Sequence, residues 1–175
     1  PNLSPAVAVD RAGNLILVWQ GFRRQRSQVL LKSFRAGQWS SETALSEPEA
    51  DSWDPAVAGD PAPNGPGGVW VAWDSYQTGE FQIYTRRFDG TKPGPVHAVS
   101  RNRLFSARAS IACDRQGRPW IAWEQSGPHW GKDWAVDDPA GTSLYKDRSV
   151  RVAFLEAGQW REPASPVSAA LSERM

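Results

Sequence analysis

Three versions of one phrase recur along the chain, and they limit its possible folds more than any other feature. They are Leu15-Ile16-Leu17-Val18-Trp19-Gln20, Val69-Trp70-Val71-Ala72-Trp73-Asp74 and Pro119-Trp120-Ile121-Ala122-Trp123-Glu124. Each follows an Asp and a Gly: Asp10 and Gly13, Asp60 and Gly68, Asp114 and Gly117. The marker Asp residues stand 50 and 54 apart, and the marker Trp residues 54 and 50. A period of this length is the signature of one supersecondary unit used repeatedly. A second marker, Ala-Gly-Gln-Trp at 36–39 and 157–160, is displaced by 121 residues, against 104 between Asp10 and Asp114. The excess of 17 has one location. Trp19 to Val29 and Trp73 to Ile83 are 10 residues each, whereas Trp123 to Val150 is 27.

Within each repeat the pattern reads as four short strands. The first is rich in small residues: Pro5 to Val9, Pro55 to Ala58, and Ala109 to Ala112. A tight Asp-x-x-Gly turn follows, where glycine can take positive φ. The middle repeat widens that turn with residues 61–66. The Trp-ending phrase is the second strand. The third strands start at Val29, Ile83 and Val150, and the last two alternate in part as half-buried strands do. A fourth opens near Trp39 or Trp160 and closes on Leu45-Ser46, Val99-Ser100 or Val167-Ser168. No stretch carries a sustained helical period.

The fold class expected is therefore all-β, with three four-stranded antiparallel blades of an incomplete β-propeller. The 175 residues form a single propeller segment: blade 1 over about 1–50, blade 2 over about 51–104, and blade 3 over about 105–170 with a long loop at 126–147. Rings typically use roughly 4–8 blades. Three leave open edges that another segment or another chain must cover. The expected partners are thus the remaining blades or another copy of the chain. The start at Pro1, without an initiator Met, favours an excised segment over a cleaved signal. A non-ring stack of three sheets is the structural alternative.

Composition excludes several function classes. With 40% hydrophobic and 22% charged residues the chain is globular. It has no apolar run of about 18, so no helical membrane span is expected. A formal net charge of +1 gives no general attraction to nucleic acid. The single cysteine, Cys113, rules out an internal disulfide and reads as a small buried hydrophobe. No metal ligand set and no cofactor motif stand out.

The repeated Asp–Gly turn before a Trp-ending apolar strand resembles secreted bacterial propellers of the sialidase-like and TolB-like kind, over nearly the whole chain. The sialidase Asp box is similar to Ser/Thr-x-Asp-x-Gly-x-x-Trp. Here Asp10-Arg11-Ala12-Gly13 has one residue too many, Ala8 replaces Ser/Thr, and the Arg-Ile-Pro signature is absent. The resemblance implies a periplasmic or extracellular compartment, and the departures argue against sialidase chemistry in this segment. The blades also resemble repeats found ahead of hydrolase-like domains, which would place any chemistry outside the chain.

The long third-blade loop carries the main ligand candidates: His129, Trp130, Lys132, Asp133, Trp134 and Tyr145. Trp130 or Trp134 would offer a platform to a sugar, with the polar groups supplying directional hydrogen bonds. The plainer reading folds both Trp back over the blade edge. Arg23, Arg24, Trp53 and Tyr76 are expected on the same face, with arginines suited to an anionic ligand. The plainer reading there is a solvated rim of ion pairs to Asp51, Asp54 and Asp74. Asp74 and Glu124 hold equivalent places after the marker Trp and are weak acid/base candidates; Gln20 stands there in the first repeat. His97 and the repeated Trp residues read as structural. The function expected is a non-catalytic binding or interaction module for carbohydrate or a protein partner. Part of a glycoside hydrolase propeller and a Trp-pocket lectin completed by oligomerisation are the alternatives.

Overall fold

The computed structural model describes residues 1–65, 67–102, 104–127, 148–165 and 167. The elements with described bounds are thirteen β-strands. The first sheet holds β1 (Asn2–Val9), β2 (Leu15–Arg23), β3 (Arg26–Arg35), β4 (Gln38–Trp39) and β5 (Thr43–Ala44). The second holds β6 (Ser52–Gly59), β7 (Val69–Ser75), β8 (Gln82–Phe88) and β9 (Pro93–Ala98). The third holds β10 (Phe105–Cys113), β11 (Pro119–Ser126), β12 (Arg148–Glu156) and β13 (Gln159–Arg161). Each sheet is an antiparallel meander in chain order. In the first sheet the outer position is split, with β4 and β5 both pairing with β3.

The repeated turn owes its shape to the Asp. In the first turn Gly13 N–H donates to Asp10 O (3.0 Å) and in the third Gly117 N–H donates to Asp114 O (2.9 Å). The Asp114 carboxylate accepts from the backbone N–H of Gln116 (2.9 Å) and Arg118 (3.0 Å). Gly13, Gly68 and Gly117 all sit at positive φ (82°, 84° and 78°), where a side chain is disfavoured. The fourth strands end alike. Leu45 N–H donates to Val29 O and Val99 N–H to Ile83 O, both at 2.8 Å. The following serine hydroxyls, Ser46 and Ser100, accept from the N–H of Val29 and Ile83.

The three sheets stack face to face, with their first strands lying against one another on the inner side of the arc. Ile16, Val18, Val29, Leu31 and Leu45 of the first sheet interlock with Val69, Val71, Trp73, Tyr84 and Phe88 of the second. Ala72 and Ile83 on the opposite face of the second sheet meet Ile121, Trp123 and Ala153 of the third. Close approach on the inner side depends on Gly59, where a Cβ would come within 2.3 Å of the Val9 carbonyl oxygen. Among the described residues the stack does not close. The sheets form an arc of three blades, with Trp73 and Trp123 each turned toward the preceding blade. Trp73 and Trp123 are buried core as expected. Trp19 is only half-buried, since no sheet among the described residues covers its face, and its indole N–H donates to Asn2 Oδ1 at 3.0 Å.

Two features differ from expectation. The first strands begin earlier than their small-residue runs, at Asn2, Ser52 and Phe105. Each also carries a bulge, between Leu3 and Ala6, Trp53 and Ala56, and Ala107 and Ser110. Cys113 ends β10 half-buried, with burial and then the charges of Asp60 and Asp114 pushing its thiol up to about 12. A thiol so held is inert as a nucleophile.

Candidate functional site

The bulges organise the site. Ser4, Asp54 and Arg108 each stand six residues before the marker Asp. All three are non-glycine residues in the left-handed region, with φ of 47°, 45° and 58°. Such a conformation is costly for residues with a Cβ and concentrates at functional positions. Here it places three polar side chains in equivalent places on neighbouring inner strands. Ser4 Oγ donates to Asp54 Oδ1 at 3.1 Å, linking two blades side chain to side chain.

Arg108 anchors two carboxylates at once. Its backbone N–H donates to Asp74 Oδ1 at 3.1 Å, and its guanidinium lies 3.4 Å from Glu124 Oε1. The other Glu124 oxygen is paired with Arg148. Asp74 is 3% exposed. Burial pushes its carboxyl up to about 7, the Asp54 charge adds to this, and the Arg108 N–H and charge oppose it. Asp74 therefore changes protonation near neutrality. Glu124 lies between the guanidinium groups of Arg108 and Arg148.

At the same end of the sheets four aromatic rings converge. Phe81 is the hub, with ring centroids 5.2 Å from Trp53, 5.2 Å from Tyr76 and 5.0 Å from Phe105. These separations lie in the favourable range for tilted pairs. Arg148 lies over the Phe105 ring at 5.8 Å, so one guanidinium joins the aromatic group to the charged row. Tyr76 is 50% exposed and gives the cluster a wet, amphipathic edge. The support beneath is specific. The Gln82 amide donates to the carbonyls of Asn102 (2.6 Å) and Leu104 (3.1 Å), fixing the link into β10. Ser106 N–H donates to Phe81 O at 3.0 Å.

The residues singled out from sequence divide into separate groups. Trp53, Tyr76, Asp74 and Glu124 fall in this one region. Arg23 does not: it forms a two-point ion pair with Glu42 (2.9 and 2.6 Å) beside an open groove of about 470 Å³ on the first sheet. Arg24 sits exposed at the tip of the β2–β3 hairpin, at φ 50°. Asp51, expected in a rim ion pair, pairs with Arg26 at 3.1 Å, beside Arg24 on the same hairpin. His129, Trp130, Lys132, Asp133, Trp134 and Tyr145 lie outside the described residues. Sequence reasoning missed Phe81, Phe105 and Arg148 as members of the site. The alignment of Ser4, Asp54 and Arg108 on the marker Asp was available as a signal.

No family model matches the sequence, and no curated protein matches it either. Solved structures do match. A Hadza microbial sialidase superposes with a TM-score of 0.64 at 14% identity, over 94% of this chain and 37% of that one. A protein of unknown function from Dyadobacter fermentans gives 0.61 at 12% identity, over 95% and 54%. An ulvan lyase of polysaccharide lyase family 25, solved bound to a GlcA–Rha3S saccharide, gives 0.57 at 12% identity, over 92% and 42%. The chain spans 37–54% of the length of these neighbours. At such identities the likeness is one of fold. The chain is a three-blade β-propeller segment, similar in its blades to sialidase-like propellers.

Proposed function

We propose that this chain is a non-catalytic binding module of a larger or oligomer-completed propeller, and that its loop face takes an acidic carbohydrate. The observation carrying this reading is the junction of the Trp53–Phe81–Tyr76–Phe105 cluster with the Arg108–Glu124–Arg148 row. An exposed aromatic edge suits the apolar face of a sugar ring, and guanidinium groups suit a carboxylate or sulfate on it. Two of the structural neighbours are named for glycan-acting enzymes, which is consistent with the reading. Among the described residues the cluster also occurs once. Leu3 stands where Trp53 stands, and Ser27 where Phe81 stands. A lectin with one site per blade junction would repeat it.

The catalytic alternative rests on Asp74, whose carboxyl titrates near neutrality as a general acid requires. Its burial and its bond to the Arg108 backbone oppose that role, and Glu124 is tied in two ion pairs. Calorimetric titration with uronic-acid and sulfated oligosaccharides, beside neutral ones, tests the binding reading. Acidic saccharides should bind, and Tyr76→Ala should weaken them about tenfold, or about 1.4 kcal/mol. Equal binding by wild type and Tyr76→Ala, or none by the wild type, would sink it.

A further inference from the structure

The two ends of the arc are not arbitrary surfaces. Repeat equivalence, read from the strand registers, assigns each exposed position on the first sheet a counterpart inside the molecule. Phe34 corresponds to Phe88, Leu17 to Val71, Trp19 to Trp73 and Val7 to Val57. Phe88, Val71 and Trp73 are buried, and Val57 packs against the same core, because the first sheet covers them. Their counterparts on the first sheet form a free apolar face, with Val7 58% exposed. Lys32 stands where Arg86 stands, and Arg86 donates across the blade junction to Leu45 O at 2.8 Å. The free face of the first sheet therefore has the form of a socket for the following face of another blade.

The third sheet presents such a face. Trp120, Ala122, Val152 and Val150 correspond to Ile16, Val18, Leu31 and Val29, the residues by which the first sheet seats on the second. Val150 is 37% exposed, while Val29 and its second-sheet counterpart Ile83 are fully buried. Trp120 is already ordered for contact, stacked on Phe154 at 4.5 Å. Each end of the chain thus repeats one half of a joint that the interior makes twice.

We infer that the free face of the first sheet docks, head to tail, the free face of the third sheet in a second copy of this chain. The contact is heterologous. It closes into a ring if the rotation allows and otherwise extends into longer oligomers. Two copies would supply six sheets, within the roughly 4–8 blades that propeller rings use. The inference rests on the oligomer-completed form of the function proposed above and specifies which surfaces complete it.

Sedimentation velocity on the full chain at rising concentration tests it, with Val7→Arg, Val150→Arg and their mixture. The wild type should associate in multiples of the chain mass. Each variant alone should associate at least about thirtyfold more weakly, because it places an unpaired charge in the joint. Mixing them should restore a pair, since one intact socket and one intact plug remain. Both substitutions replace exposed side chains, and thermal melts by circular dichroism confirm folding; Phe34→Gln repeats the test if either variant melts early. A wild type that stays monomeric overturns the inference, as does Val7→Arg associating normally. A mixture that restores nothing overturns the head-to-tail geometry. Tyr76→Ala, outside the joint, should associate normally. If association survives while saccharide binding is absent from the wild type, the binding proposal fails and the docking stands.

Discussion

Asp74 shows how one residue carries two consequences. Its neighbours in the repeat register, Gln20 and Glu124, are polar too, so the position itself tolerates a polar side chain at the blade end. What distinguishes Asp74 is that the third sheet buries it and the Arg108 bulge caps it. Its carboxyl moves from an ordinary 3.8 to about 7, chiefly through burial. A carboxyl with a raised folded pKa binds its proton more tightly in the fold than in the unfolded chain. Its stabilising share is whole below about pH 4 and is lost as pH rises toward 7. Asp74→Asn keeps an acceptor for the Arg108 N–H but never ionises. Relative to wild type, it should gain about 1–3 kcal/mol of stability between pH 5 and pH 8. Urea unfolding at the two pH values measures the gap, and a gap that does not change with pH would show that Asp74 is solvated after all.

Strands and their links show what could be read from sequence and what could not. The second and third strands, the Asp turn and the Leu45-Ser46 and Val99-Ser100 ends were legible because repetition marks them and packing demands them. The marker Trp residues were legible as core for the same reason, and Trp19 departs because no sheet among the described residues packs on its face. The early starts of β1, β6 and β10 were not legible. A bulge shifts the alternation by one residue, so Trp53 and Phe105 fall out of phase with the small-residue runs that follow them. The aromatic cluster was hidden for a related reason. Phe81 lies just outside β8, and only the paired sheet edges bring it to Trp53 and Phe105. Its position depends on Asn102 and Leu104, whose carbonyls Gln82 holds while its oxygen accepts from the Ser100 hydroxyl at 2.7 Å. Gln82→Leu removes the partner of the buried Ser100 hydroxyl and of the two part-buried carbonyls, and should cost about 2 kcal/mol. It should also weaken acidic saccharides several-fold by loosening Phe105. Chemical denaturation and calorimetry read the two effects together. A stability loss without a binding loss would separate the link from the site.

At the scale of the whole molecule, the chain behaves as a short one-dimensional stack in which each sheet is stabilised by its neighbours. The second sheet is covered on both faces, by the large interlock around Trp73 on one side and the smaller one around Trp123 on the other. Among the described residues the first and third sheets each leave a face without a covering sheet, with Val7 and Val9 more than half exposed at one end and Val150 37% exposed at the other. Opening free energies should follow that order, since local stability tracks buried contacts. Amide exchange of the chain at low concentration should therefore be slowest in β7 and β8, and faster in β1, β12 and β13. Docking of a second copy covers only the end faces. Raising the concentration should accordingly slow exchange in β1, β2, β11 and β12 while leaving β7 and β8 unchanged. Uniform exchange at both concentrations would mean that the three sheets unfold as one unit and that the ends are not separately stabilised by association.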